Sequence, residues 1–94
     1  MSDKANRIEE IIRRAVAEYL KEHANAKTLL TVLDASLVKR GEEVHISVSV
    51  FPKDDAMAAL HFLRRKRPEV RKYLEKKTSI GRVPRIEFGI TSEA

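Results

Sequence analysis

The sequence predicts an α+β fold in the order α-β-β-α-α-β, with a three-stranded mixed sheet and its helices packed on one face. Three observations predict it. Residues 5–22 repeat apolar side chains at helical spacing. Residues 44–51 alternate apolar and polar side chains. A long helical stretch after Pro52 is interrupted at Pro68 and is followed by a short alternating strand.

In the first segment, Ile8, Ile11, Ile12, Ala15, Val16, Tyr19 and Leu20 recur at i, i+3, i+4 and define one apolar face. Arg7, Glu9, Glu10, Arg13, Arg14, Glu18 and Lys21 take the opposite face. Ser2 or Asp3 is suited to cap the start. "HANAK" reads as a connector and "TSEA" as a frayed tail.

Residues 28–38 are rich in Leu, Thr and Val and read as a strand. Strict alternation puts Leu29, Thr31, Leu33, Ala35 and Leu37 on one face and Val32, Asp34 and Ser36 on the other. "KRGEE" is a polar hairpin loop whose glycine supplies an unusual φ. In the next strand Val44, Ile46, Val48 and Val50 face one way, and His45, Ser47, Ser49 and Phe51 the other. An antiparallel pair with one apolar face needs a cover.

The second helix follows Pro52, with Asp54 as its expected N-cap and Asp55 complementing the dipole. Met57, Leu60, Leu63 and the alanines form its apolar side. Pro68 removes an amide donor and disfavours helix at Arg67, so the helix is expected to break and restart. Val70, Tyr73, Leu74 and Lys77 resume helical spacing. Pro84 opens the third strand, with Ile86, Phe88 and Ile90 on one face. The paired helices are long enough for this strand to run parallel to the first.

Composition narrows the function. The 94 residues suit one domain, 1–94. Cysteine is absent, which excludes disulfides, cysteine-based zinc sites and thiol catalysis. No signal peptide is evident, and no apolar run approaches the ~20 residues a membrane helix needs. A cytoplasmic location is expected. Net charge is +5, unevenly placed: residues 1–55 carry 9 Lys/Arg against 10 Asp/Glu, and residues 56–94 carry 10 against 4. That asymmetry points to a polyanionic partner.

No catalytic constellation emerges. His23, His45 and His61 match no metal spacing, and Asp54-Asp55 is explained as a helix cap. The chain is expected to be no enzyme, with no cofactor and no small-molecule substrate.

The order and its residues resemble the ribosome-binding factor A family, small-subunit assembly proteins of type II KH-like fold, over nearly the whole chain. "NRIEEIIRRAVAEYL" resembles the family's opening helix. "LLTVLDASLVKRGEEVHISVSVF" resembles its hairpin. "IGRVPRIEFGI" resembles its closing strand, where an Arg-Val-Pro segment precedes an apolar-x-Phe. The family joins its two later helices at an Ala-x-Gly kink, where this chain has Lys66, Arg67 and Pro68. The resemblance implies binding to the maturing small (30S) ribosomal subunit and to 16S rRNA, without catalysis, in 16S rRNA processing and cold adaptation.

The candidate RNA-binding residues sit at the break. A helix restarting at Pro68 exposes unpaired amides and a partial positive charge beside Arg64, Arg65, Lys66 and Arg67. Arg71 and Lys72 follow one turn on, and Lys76 and Arg82 extend the track. Neighbours on a helix lie about 100° apart, so two or three of the four consecutive cations can share a face. A Lys/Arg run alone also fits a solvated helix face. The charge asymmetry, the break and the resemblance together favour RNA. A monomer is expected. The competing readings are a general RNA-binding KH-like domain and a protein-interaction module using its sheet edge or first helix.

Overall fold

The computed structural model describes residues 3–23 and 27–91. The expected Ser2 cap, most of the connector and residues 92–94 of the tail lie outside the described residues. The elements are α1 (Asp3–His23), β1 (Leu29–Val38), β2 (Glu43–Phe51), α2 (Ala56–Arg65), α3 (Arg67–Lys77) and β3 (Arg85–Ile90). A left-handed turn at Lys39–Gly41 precedes β2, and a short 3-10 turn at Lys53–Asp55 precedes α2.

The helices bury the face of the sheet that the alternation assigns. Ile12, Val16, Tyr19 and Leu20 of α1 join Val44, Ile46 and Val48 of β2, and Ile86 and Phe88 of β3, in one apolar cluster. Leu63 from α2 and Val70 and Leu74 from α3 complete it, each at 0% exposure. Burial of these branched side chains removes apolar surface from water and is the main force holding α2 and α3 on the sheet.

β2 is the central strand, antiparallel to β1 and parallel to β3. The third strand therefore runs parallel to the second, and opposite to the first, contrary to the sequence expectation. The physical reason is the crossover. α2 and α3 carry the chain from the end of β2 back to the end where β2 began, so β3 starts beside Glu43.

β1 departs from strict alternation. Its pairing with β2 steps from Val32↔Val48 to Asp34↔Ser47, which leaves Leu33 bulged. The bulge shifts the inward phase by one residue. Leu30 and Val32 face the core before it, Ala35 and Leu37 after it, and Leu29 is left 64% exposed. Met57 is likewise 64% exposed, and Ala59 is the buried residue in its part of α2. Asp55, not Asp54, occupies the N-cap position of α2, because Asp54 lies within the preceding 3-10 turn, and the Asp55 side chain makes no capping bond to the helix. The Asp55 carboxylate accepts a 2.8 Å hydrogen bond from the Thr28 hydroxyl and so ties α2 to the start of β1.

The outer edge of β1 is partly covered. Glu9 of α1 accepts a 2.8 Å hydrogen bond from the Leu37 amide. An edge strand whose amide is already bonded is a poorer template for another chain.

Candidate nucleic-acid interface

The break falls at one residue, one earlier than expected: Lys66 separates α2 from α3 with φ −89° and ψ 0°, and Arg67 is already helical as the first residue of α3. Its amide donates to the carbonyls of Phe62 and Leu63, and its carbonyl accepts from the Val70 amide at 2.9 Å. Pro68, in the first turn of α3, has no amide hydrogen to give to the Arg64 carbonyl. The side chain of Arg67 substitutes for it, with Nε donating to that carbonyl at 3.3 Å. Leu63 before the break and Val70 and Leu74 after it are buried in the same core, which fixes both helices against the sheet.

The four consecutive cations do not form one free cluster. Arg64 and Arg65 are exposed, and neither has a carboxylate partner among the described residues. Lys66 donates to Glu69 at 2.8 Å and lies 5.9 Å from the centre of the Phe62 ring. That hydrogen bond raises the Lys66 pKa and holds the Glu69 carboxyl below its usual range. Glu69 also occupies the first turn of α3, where it faces the dipole itself. Arg67 Nη1 approaches both oxygens of Glu87 at 3.4 Å.

Beyond the break the cations divide between two sides of α3. Arg67 and Arg71, four residues apart, line an open groove of ≈ 530 Å³ with Pro68, Arg85, Ile86 and Glu87. Lys72 and Lys76, also four apart, line a second groove of ≈ 410 Å³ against α1, with Tyr19, His23, Glu69, Tyr73 and Glu75. The Tyr19 ring stacks on His23 and meets Tyr73 edge-on. The buried Tyr19 hydroxyl lies near the Glu69 carboxylate without a well-formed hydrogen bond to it. Arg82 is exposed in the segment between α3 and β3, beside the buried Val83 and Pro84.

Arg85 is the basic residue that the sequence reading missed. It extends the Arg67–Arg71 groove onto the sheet and belongs to a chain of ion pairs. Arg85 Nη2 bonds Glu43 at 2.9 Å, and its Nε lies 3.6 Å from Glu87. Glu43, buried at 6% exposure, also meets His45 Nε2 at 2.7 Å and Lys39 Nζ at 3.5 Å. Its pKa is lowered, first by the hydrogen bond with His45 and then, against the opposing cost of burial, by the charges of Lys39 and Arg85. Alternation alone puts Arg85 and Glu87 on the open face of β3. The Arg85–Glu43 pair needs the parallel register that sets Arg85 beside Glu43, which is a long-range property.

The Arg67–Arg71–Arg85 groove can bind an anion. Its cationic walls are three arginines, and its single carboxylate, Glu87, makes only long contacts with two of them. Arg85 is also held by Glu43 at 2.9 Å, and Arg71 Nε lies 4.0 Å from Glu75. Guanidinium groups match phosphate geometry, and an incoming phosphate would replace the long contacts of Glu87 with Arg67 and Arg85. Among the described residues no group of three or more His, Cys, Asp and Glu side chains could hold a metal ion. No described helix is long and apolar enough to cross a membrane.

The α-β-β-α-α-β order, with helices on one face of this mixed sheet, defines an α+β domain of the KH-like class. The family model of ribosome-binding factor A matches residues 4–93, and the chain belongs to that family. The crystal structure of ribosome-binding factor A from Thermus thermophilus is similar, with 28% identity, a TM-score of 0.80, and coverage of 92% of this chain and 93% of that one. A Thermus thermophilus ribosome binding factor A homology model, fitted into the cryo-EM map of a 30S–RbfA complex, is 28% identical. It has a TM-score of 0.76, covering 88% of this chain and 90% of that one. The solution NMR structure of a Thermotoga maritima candidate ribosome binding factor A has a TM-score of 0.74 at 19% identity, covering 89% and 83%. A search of curated proteins gave no match.

Proposed function

We propose that this chain binds the small ribosomal subunit, as a monomeric maturation factor in the cytoplasm, by gripping 16S rRNA phosphates along its basic edge. The observation that carries the reading is the convergence of Arg67, Arg71 and Arg85 on one open groove beside the exposed Arg64 and Arg65. Membership of the ribosome-binding factor A family supports the choice of partner, as does the fit of the similar Thermus thermophilus factor into a 30S complex.

In this reading Arg71, with Arg67 and Arg85, takes phosphate oxygens in the groove, and Arg64 and Arg65 contact the backbone as it leaves. Lys66, Lys72, Lys76 and Arg82 add screened, longer-range attraction. Backbone contacts position a protein without reading sequence, so choice among RNAs comes from the shape of the folded subunit.

The test is cosedimentation with free small subunits. Arg64→Glu with Arg65→Glu alters two exposed side chains whose loss leaves no carboxylate unpaired among the described residues. The variant is expected to keep its melting temperature and to leave the small-subunit fraction at moderate salt. Undiminished cosedimentation of the double variant would contradict the proposed grip.

A further inference from the structure

The hairpin between β1 and β2 carries backbone strain at two cationic residues. Lys39 has φ 52° and Arg40 has φ 58°, both in the left-handed region, followed by Gly41 at φ 84°. The Glu42 amide closes the turn on the Lys39 carbonyl at 3.1 Å, which makes Arg40 and Gly41 the central pair of a type I′ arrangement. Such turns select Asn, Asp or Gly at the first central position, because an ordinary side chain there crowds the backbone. This chain has arginine at that position. Strain kept at an exposed residue, where a better turn former is available, motivates a functional reading.

The position of the turn supplies the rest. Arg40 is exposed and has no carboxylate partner among the described residues. Lys39 reaches Glu43, Glu43 holds Arg85, and Arg85 shares Glu87 with Arg67. The turn therefore stands at the end of the ion-pair chain that begins in the arginine groove. Phosphates following one strand of RNA out of the groove and across the β2–β3 end of the sheet would next meet Lys39 and Arg40.

We propose that the Lys39-Arg40 turn is a second phosphate contact, a basic finger that extends the arginine groove along the same RNA backbone. The inference rests on the small-subunit reading above. The turn also borders a groove lined by Ala5, Ile8, Leu37 and Val38, but its tip is two cations and a glycine, and exposed positive charge continuous with the arginine groove favours a polyanion.

The experiment measures affinity for purified small subunits across a salt series, with melting temperature recorded alongside. Arg40→Gly removes the cation and suits the left-handed backbone. It is expected to raise Tm by about 2–8 °C. It should also weaken binding and reduce the slope of log affinity against log salt by about 0.7–0.9, the loss of one phosphate contact. Arg40→Lys, which keeps the charge, is expected to keep the wild-type slope. A wild-type slope in Arg40→Gly, or an equal loss in Arg40→Lys, overturns the assignment while leaving the small-subunit reading intact. If wild-type protein fails to bind small subunits at all, that reading falls and the finger falls with it.

Discussion

Leu63→Ala tests the packing that fixes the break. Leu63 is at 0% exposure, in the last turn of α2 just before Lys66, in the same cluster as Val70 and Leu74. The substitution deletes about three carbons' worth of buried side chain, or about 2.4 kcal/mol at roughly 0.8 kcal/mol each. The cavity left behind adds to this, because a two-helix cover pinned on both sides of a break collapses poorly, giving about 2.5–5 kcal/mol in all. For a domain of this size each kcal/mol moves the melting temperature by about 4–8 °C, so a fall of at least ~10 °C is expected. Circular dichroism on heating measures it, and urea titration should show a lower midpoint with an unchanged slope. A fall of less than ~5 °C would refute the claim that Leu63 anchors the helical pair.

Two further outcomes concern single groups. Tyr19→Phe removes a buried hydroxyl that lacks a hydrogen-bond partner, so urea denaturation should show stability unchanged or raised by up to about 1 kcal/mol. Glu10 on α1 bonds Arg13 and Arg14, which lowers its pKa from 4.5 to about 2. A carboxylate whose folded pKa is depressed contributes stability above its unfolded value and loses it as pH falls through the folded value. Thermal stability should therefore decline between pH 4.5 and 2, and Glu10→Gln should make that decline shallower at low salt.

Elements whose pattern is local were legible in the sequence. The inward face of α1, the alternation of β2 and β3, and the break before Pro68 all follow from side-chain spacing and from a missing amide. β1 was misread because a bulge at Leu33 has no local signature in a run of Leu, Thr and Val, and its cost is met by pairing with β2. Met57 is spaced three residues from Leu60 but lies about 200° around α2 from Ala59, so it faces away from the Ala59–Leu63 side that is buried. The candidate site was partly legible. Its cations stand in the sequence as one track, whereas the structure divides Arg67 and Arg71 from Lys72 and Lys76 on two sides of α3. Arg85, Glu87 and Glu43 come together only through the parallel β2–β3 register, and Glu69 stands in the sequence as a dipole partner while also neutralising Lys66. The left-handed backbone at Lys39 and Arg40 is set by the four-residue connection between paired Val38 and Glu43.

The measurement that tests the central claim most directly is the affinity of Glu87→Gln for purified small subunits at low and moderate salt. If the arginine groove is where RNA phosphate sits, Glu87 is the internal counterion that phosphate must displace from Arg67 and Arg85. Removing its charge should tighten binding at both salt concentrations. Unchanged or weaker binding by a folded Glu87→Gln variant would contradict a phosphate seat in that groove.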